Sequence, residues 1–83
     1  MEHASHPAIV KRLRRAEGHL RSVIAMIEAG RPCVDLAQQL HAVESAVTNA
    51  KRELIHDHIE HCLQGGEGTR RDLDELKQLA RYL

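Results

Sequence analysis

From Cys33 onward the chain meets no glycine or proline until Gly65, and that uninterrupted stretch constrains the fold more than any other feature. Within it Leu36, Leu40, Val43, Val47, Ala50 and Leu54 recur at steps of four and three, the spacing of one helical face. The spacing predicts a single helix over about 33–63, roughly 45 Å long at about 1.5 Å per residue. In a chain of only 83 residues such a helix overhangs any three-helix fold, so its far end must pack on something else.

Two further helices are expected on either side. Ile9, Leu13, Ala16, Leu20, Val23 and Ile27 form an apolar stripe that predicts a helix over about 6–29, with Ser5 as its cap and residues 1–6 as an N-terminal arm. Gly18 interrupts this stripe. A mid-helix glycine costs roughly 1 kcal/mol against alanine, which suggests the close approach of another backbone. Gly30-Arg31-Pro32 and the glycine-rich run after Gln64 punctuate the segments. After the second break Thr69 and Asp72 resemble a capping box, and Leu73, Leu76, Ala80 and Leu83 are expected to line the face of a helix over about 70–82. No stretch alternates like a strand. The fold class read here is all-α: one domain over 1–83, three helices in the order short, long, short.

Composition limits how such a domain can hold together. A chain this small buries only roughly 60–65% of its unfolded surface, so it is marginal alone and needs a staple. Two cysteines allow at most one bridge, which excludes a disulfide framework. The longest apolar run, Val23–Ile27, is far shorter than the roughly 20 residues that span a bilayer. The first residues carry no signal-peptide pattern, and the expected setting is the cytoplasm with reduced thiols and no membrane partner. Self-association is the remaining remedy, through apolar stripes that one chain cannot cover.

Twelve Lys+Arg balance twelve Asp+Glu, yet the distribution is uneven. The basic surplus lies at the front, where Lys11, Arg12, Arg14, Arg15 and Arg21 flank the first stripe; Lys51 and Arg52 sit midway along the long helix. On one chain these residues read as a solvated face. Repeated over an oligomer, the same patches suit DNA phosphates. Tyr82 is the only aromatic, so bases have no stacking platform, and no helix-turn-helix signature is present.

Three residues suggest chemistry: Cys33, His58 and Cys62. His58 and Cys62 are four apart on the long helix and share a face, so they suit one ion. Cys33 lies 25 positions before His58, roughly 37 Å along a helix axis, and cannot reach the pair in its own chain. Two long helices packed antiparallel place Cys33 of one beside His58 and Cys62 of the other, giving a symmetric dimer with two Cys–His–Cys sites. Taken singly, a cysteine is usually a small hydrophobe and a helical histidine usually solvated. The His-x-x-x-Cys pair inside the His56, His58, His61 cluster is what favours a metal. Two thiolates and an imidazole are soft ligands suited to Cu(I), or to Zn(II) with a fourth donor. Ni(II) or Co(II) would want further nitrogen, from His3, His6 or His61. Spacing assigns no role to His41 or His56.

At these residues a family resemblance becomes definite. His6-Pro7 through KRLRRAEGHLRSVIAMIE, the Cys33 segment CVDLAQQLHAVESAV and the segment AKRELIHDHIEHC resemble the CsoR/RcnR/FrmR family of bacterial all-helical repressors. The resemblance implies an antiparallel dimer that assembles into a dimer-of-dimers tetramer, binds double-stranded operator DNA and derepresses efflux or detoxification genes when its inducer binds. No catalytic activity and no small-molecule substrate are implied. By position, Cys33, His58 and Cys62 match the ligand set of the Cu(I)-sensing branch, Arg15 and Arg52 match basic positions implicated in DNA binding, and Glu75 matches an outer-shell position linked to coupling. Pro32 stands where the copper branch tends to carry tyrosine, and His3 and His6 resemble the N-terminal histidine of the nickel and cobalt sensors. Cu(I) is therefore favoured, with Ni(II) or Co(II) as the alternative. A thiol sensor using Cys33 and Cys62 with a persulfide or aldehyde, and a metal buffer that never touches DNA, are the remaining readings. The formaldehyde-sensing branch reacts through a proline after the initiator Met, where this chain has Glu2; persulfide sensors lack the histidine at His58.

Overall fold

A computed structural model describes residues 6–64 and 70–83. Ser5, Thr69 and His3 lie outside the described residues, and with them the two expected helix caps and one expected ligand. Three helices make up the described chain: α1 (His6–Glu28), α2 (Cys33–Gln64) and α3 (Arg70–Ala80). None of the described residues is in a strand.

The break between α1 and α2 is a backbone device. Gly30 adopts φ +75°, a left-handed conformation that a side chain disfavours. Its N–H reaches the Ile27 carbonyl (3.0 Å), and the Arg31 N–H reaches that of Met26 (3.1 Å). This pair of bonds is a Schellman cap, which satisfies carbonyls that the end of α1 would otherwise leave open. Two residues later the Pro32 carbonyl accepts the Leu36 N–H (3.1 Å), and α2 begins. The chain thus reverses, and α1 and α2 form an antiparallel hairpin. Arg12 of α1 ion-pairs with Glu53 of α2, and His19 Nε2–H donates to Gln39 Oε1 across the same seam (2.6 Å).

Apolar packing inside the hairpin uses only half of each stripe. Ile9, Ala16 and Val23 of α1, seven apart, are buried in the hairpin with Val43 and Ala50 of α2, and Ile55 of α2 is buried as well. The other half stays open: Leu13, Leu20 and Ile27 are 41–52% exposed, and Leu40, Val47 and Leu54 are 41–45% exposed. The molecule measures 54 × 23 × 13 Å, so its thinnest dimension is about one helix diameter. A radius of gyration of 17.0 Å exceeds the roughly 12 Å of a compact chain this size. The accessible surface, 6660 Å², exceeds the roughly 5000 Å² of a compact monomer of this mass. One layer of helices has no second layer to close its core.

Among the described residues nothing of the same chain comes within 4 Å of where a Gly18 side chain would sit, so the approach expected there is not made within the hairpin. One expectation is corrected. On α3, Leu73, Ala80 and Leu83 are exposed, while Asp72, Leu76 and Leu79 are the half-buried row. Leucines at 73, 76, 79 and 83 form two overlapping stripes, and spacing alone does not choose between them. The row that turns inward brings the carboxylates of α3 towards the end of α2.

Candidate metal centre and basic face

His58 and Cys62 lie one turn apart near the end of α2, where α3 packs back. The His58 side chain is only 16% exposed, and its Nε2 meets Glu75 Oε1 at 3.1 Å. This pairing links α2 to α3 through the Nε2 side of the ring. Cys62 is half-buried, and its thiol is pushed up from its ordinary pKa, first by burial and then by the nearby carboxylates of Asp72 and Glu75. The surroundings therefore favour the protonated thiol over the thiolate.

Cys33 is exposed at the first turn of α2. Because α2 is continuous, it stands at the opposite end from the His58–Cys62 pair, roughly 37 Å away. Among the described residues, no three His, Cys, Asp or Glu side chains of one chain form a metal-holding group. His6, the first residue of α1, is half-buried. His56 faces Glu60 on the solvent side of α2 (3.7 Å).

Facing directions divide the hairpin into two sides. Counting about 100° per residue along α2, Leu40 and Val47 are rotated about 50° to one side of the buried Val43–Ala50 row. Cys33, His58 and Cys62 are rotated to that same side, by about 60–100°. Cys33, His58 and Cys62 therefore share the flank of the open apolar row, whereas His61 is in phase with the buried row.

The opposite flank is polar. Lys11, Arg12, Arg14, Arg15, Lys51 and Arg52 are all exposed; by the same count Arg12 and Arg15 lie on this flank, Arg14 and Arg52 face away from the hairpin seam, and Lys51 is rotated about 80° to the side of the open apolar row. Arg12, read from the sequence as part of the basic face, ion-pairs with Glu53. A cleft of about 380 Å³ opens between α1 and α2, lined by Arg12, Arg15, Ala16, His19, Ala46 and Asn49. Sequence reasoning missed His19 and Asn49; His19 had a signal in its helical phase with Arg12 and Arg15 on α1, and Asn49, on α2, had none.

The described chain is thus an all-α protomer with an exposed apolar row, thiol and imidazole side chains towards the ends of its long helix, and basic side chains on the other flank of the hairpin. Comparisons place it more narrowly. The model of the metal-sensitive transcriptional repressor family matches residues 5–82. The chain is 37% identical over 79 residues to the copper-sensing transcriptional repressor CsoR of Mycobacterium ulcerans, covering 90% of this chain and 67% of that one. It is 39% identical over 64 residues to the copper-sensing repressor CsoR of Bacillus subtilis, covering 72% of this chain and 63% of the relative. The matches span half to two thirds of the length of the curated relatives. The solved structure of the nickel-responsive transcriptional regulator InrS superposes with a TM-score of 0.85 at 34% identity, over 100% of this chain and 98% of that one. The chain belongs to the metal-sensitive transcriptional repressor family.

Proposed function

We propose that this chain is a metal-responsive repressor that binds operator DNA without metal and leaves it when Cu(I) binds between subunits at Cys33, His58 and Cys62. The observation that carries the reading is the register of the open row on α2. Leu40, Val47 and Leu54 are spaced symmetrically about Val47. Pairing two copies of α2 antiparallel about that residue sets Leu40 against the partner's Leu54. The same register sets Cys33 against the partner's position 61, between the partner's His58 and Cys62. One pairing thus covers the apolar row and completes two ligand sets.

The donor chemistry fits a soft cation. Two thiols and one imidazole suit Cu(I), and a bound ion supplies a cross-link between protomers that neither chain makes alone. Glu75 pairs with the His58 ring from α3, so a metal drawn onto that ring is felt by α3 as well as α2. Arg15 and Arg52 with their basic neighbours are the DNA-facing residues of this reading. By linkage, DNA weakens metal binding by the same factor that metal weakens DNA binding. The controlled genes are then those of metal efflux or detoxification, and further pairing of dimers gives the tetramer.

Ni(II) or Co(II) is the second reading. It is favoured by the full-length likeness to a nickel-responsive regulator and by His6 at the start of α1, with His3 as a further nitrogen donor. Mixing protomers tests the shared site. Cys33→Ala and His58→Ala/Cys62→Ala proteins each lose tight Cu(I) binding, and their mixture regains it because the mixed dimer holds one complete set. A mixture as weak as its components contradicts the inter-subunit site.

A further inference from the structure

We propose that the cleft between α1 and α2 seats one backbone phosphate of the DNA, with Asn49 and the alanine floor as parts of the DNA-binding surface. The inference rests on the reading of the chain as a DNA-binding repressor and adds the place where a phosphate sits. The cleft exists because Ala16 and Ala46 end at Cβ on facing helices, leaving a dip of about 380 Å³. Around that floor stand Arg12, Arg15, His19 and Asn49, and no carboxylate lines it.

Both ends of the dip are closed by cross-helix bonds. Glu53 holds the Arg12 guanidinium at one end, and Gln39 accepts from His19 Nε2 at the other (2.6 Å). Glu53 offsets one of the two guanidiniums, which leaves about one net positive charge to face an anion of charge minus one. Arg15 and Asn49 are the donors not engaged in those two end bonds, and both are exposed. A tetrahedral, acceptor-only group with a single charge is the ligand this arrangement recognises. Free inorganic phosphate has the same chemistry, but the open side suits a diester that continues in both directions.

The cleft also remains accessible in the assembled protein. Arg12, Arg15 and His19 on α1, and Ala46 and Asn49 on α2, are rotated to the flank opposite Leu13, Leu20, Leu40 and Val47, counting about 100° per residue. Covering the apolar row leaves one cleft per protomer facing out. Phosphate contacts of this kind fix the orientation of a protein on a duplex without reading bases.

Ala46→Met tests the seat without changing any charge, because it fills the floor. Asn49→Ala removes a donor from an exposed helical site that accepts alanine readily. Both variants are assayed by fluorescence anisotropy on a labelled duplex from upstream of the protein's own gene, across a salt series, with helicity and assembly checked in parallel. Each variant is expected to bind about tenfold more weakly or worse, as for a lost bond to a charged group. Ala46→Met is also expected to reduce the slope of log K against log salt by about 0.9 for each phosphate it displaces. Inorganic phosphate, titrated by NMR against the Asn49 side-chain amide, forms the second arm. Unchanged DNA affinity in both variants with a saturable phosphate response overturns the DNA source in favour of a free anion. Unchanged affinity with no phosphate response overturns the seat altogether. Wild-type protein that shows no salt-dependent binding to the duplex overturns the repressor reading itself, a different result from a wild type that binds and variants that match it.

Discussion

Replacing Val47 probes the surface on which the proposed dimer depends. In the protomer Val47 is 45% exposed, and in the proposed register it lies on the two-fold axis against its own copy. Fully burying a valine side chain is worth about 1.5–3 kcal/mol, so the share left for a partner to cover is about 1 kcal/mol. Symmetry counts it twice, about 2 kcal/mol per dimer, which is a loss of roughly 30-fold in the dimer dissociation constant for Val47→Ala. Alanine is also the better helix former, so any gain falls on the protomer and not on association. Val47→Asp goes further, because two carboxylates would face each other in a desolvated contact, and it should leave a monomer. Val34→Ala is the control: Val34 is 69% exposed, yet it is rotated about 180° from the buried row of α2. Sedimentation velocity over a concentration series reads all three. Val34→Ala should change the dissociation constant by less than about twofold. Equal effects from Val47→Ala and Val34→Ala, or none from Val47→Asp, would refute the register and with it the completed Cys–His–Cys sets.

Other outcomes follow from the same geometry. Gly18→Ala should raise stability by about 0.5–1 kcal/mol at fixed protein concentration, seen as a Tm several degrees higher, since nothing lies within 4 Å of the new methyl group; a lower Tm would place a partner backbone there. The Cys62 thiol is pushed up, so its thiolate forms only at higher pH than usual. Alkylation at pH 8 should therefore modify Cys33 before Cys62, and Asp72→Asn should speed Cys62 by removing one of the carboxylates that oppose its ionisation. Because the folded form holds this proton more tightly than the unfolded chain, the Cys62 contribution to stability is present below the ordinary thiol pKa and fades as pH rises through the raised value. Glu75→Gln keeps a partner for His58 Nε2 but removes its charge, and should reduce metal affinity or metal–DNA coupling roughly 10-fold while the helices stay intact; calorimetry with and without the duplex separates the two effects.

Much of the architecture is legible in the residues themselves. Steps of three and four in each segment specify helices, and no alternating stretch competes with them, so the all-α class with three helices follows from residues such as Leu36 through Leu54. Periodicity does not reveal which half of a stripe is satisfied within the chain. Ile9, Ala16 and Val23 look the same in the sequence as Leu13, Leu20 and Ile27, yet the first set is buried and the second open. The same ambiguity misassigned the face of α3, where the choice is made by packing against α2 and draws Asp72 and Glu75 towards Cys62 and His58. Glycine at position 18 suggested a close neighbour because its helical cost is known from the sequence, whereas its surroundings are not.

The site was legible to different degrees. His58 and Cys62 share a turn by number alone, and the separation of Cys33 follows from helix rise. The pairing of Glu75 with His58 Nε2 needed α3 to be placed, since sixteen positions, a glycine-rich run among them, intervene. The cleft of Arg15, His19 and Asn49 was invisible because it depends on two alanines meeting across the hairpin, a juxtaposition of helices that no single stripe encodes.

Anaerobic titration of the reduced protein with Cu(I) and, separately, Ni(II), read by ultraviolet absorption and by anisotropy of a labelled operator duplex in the same cuvette, tests the central claim most directly. Cu(I)–thiolate absorption that saturates at one ion per protomer, with the duplex released over the same range and neither signal in His58→Ala, is the predicted result. Release by Ni(II) alone would move the assignment to the nickel reading and bring His3 or His6 into the site. A duplex that stays bound at saturating levels of both metals would contradict the account.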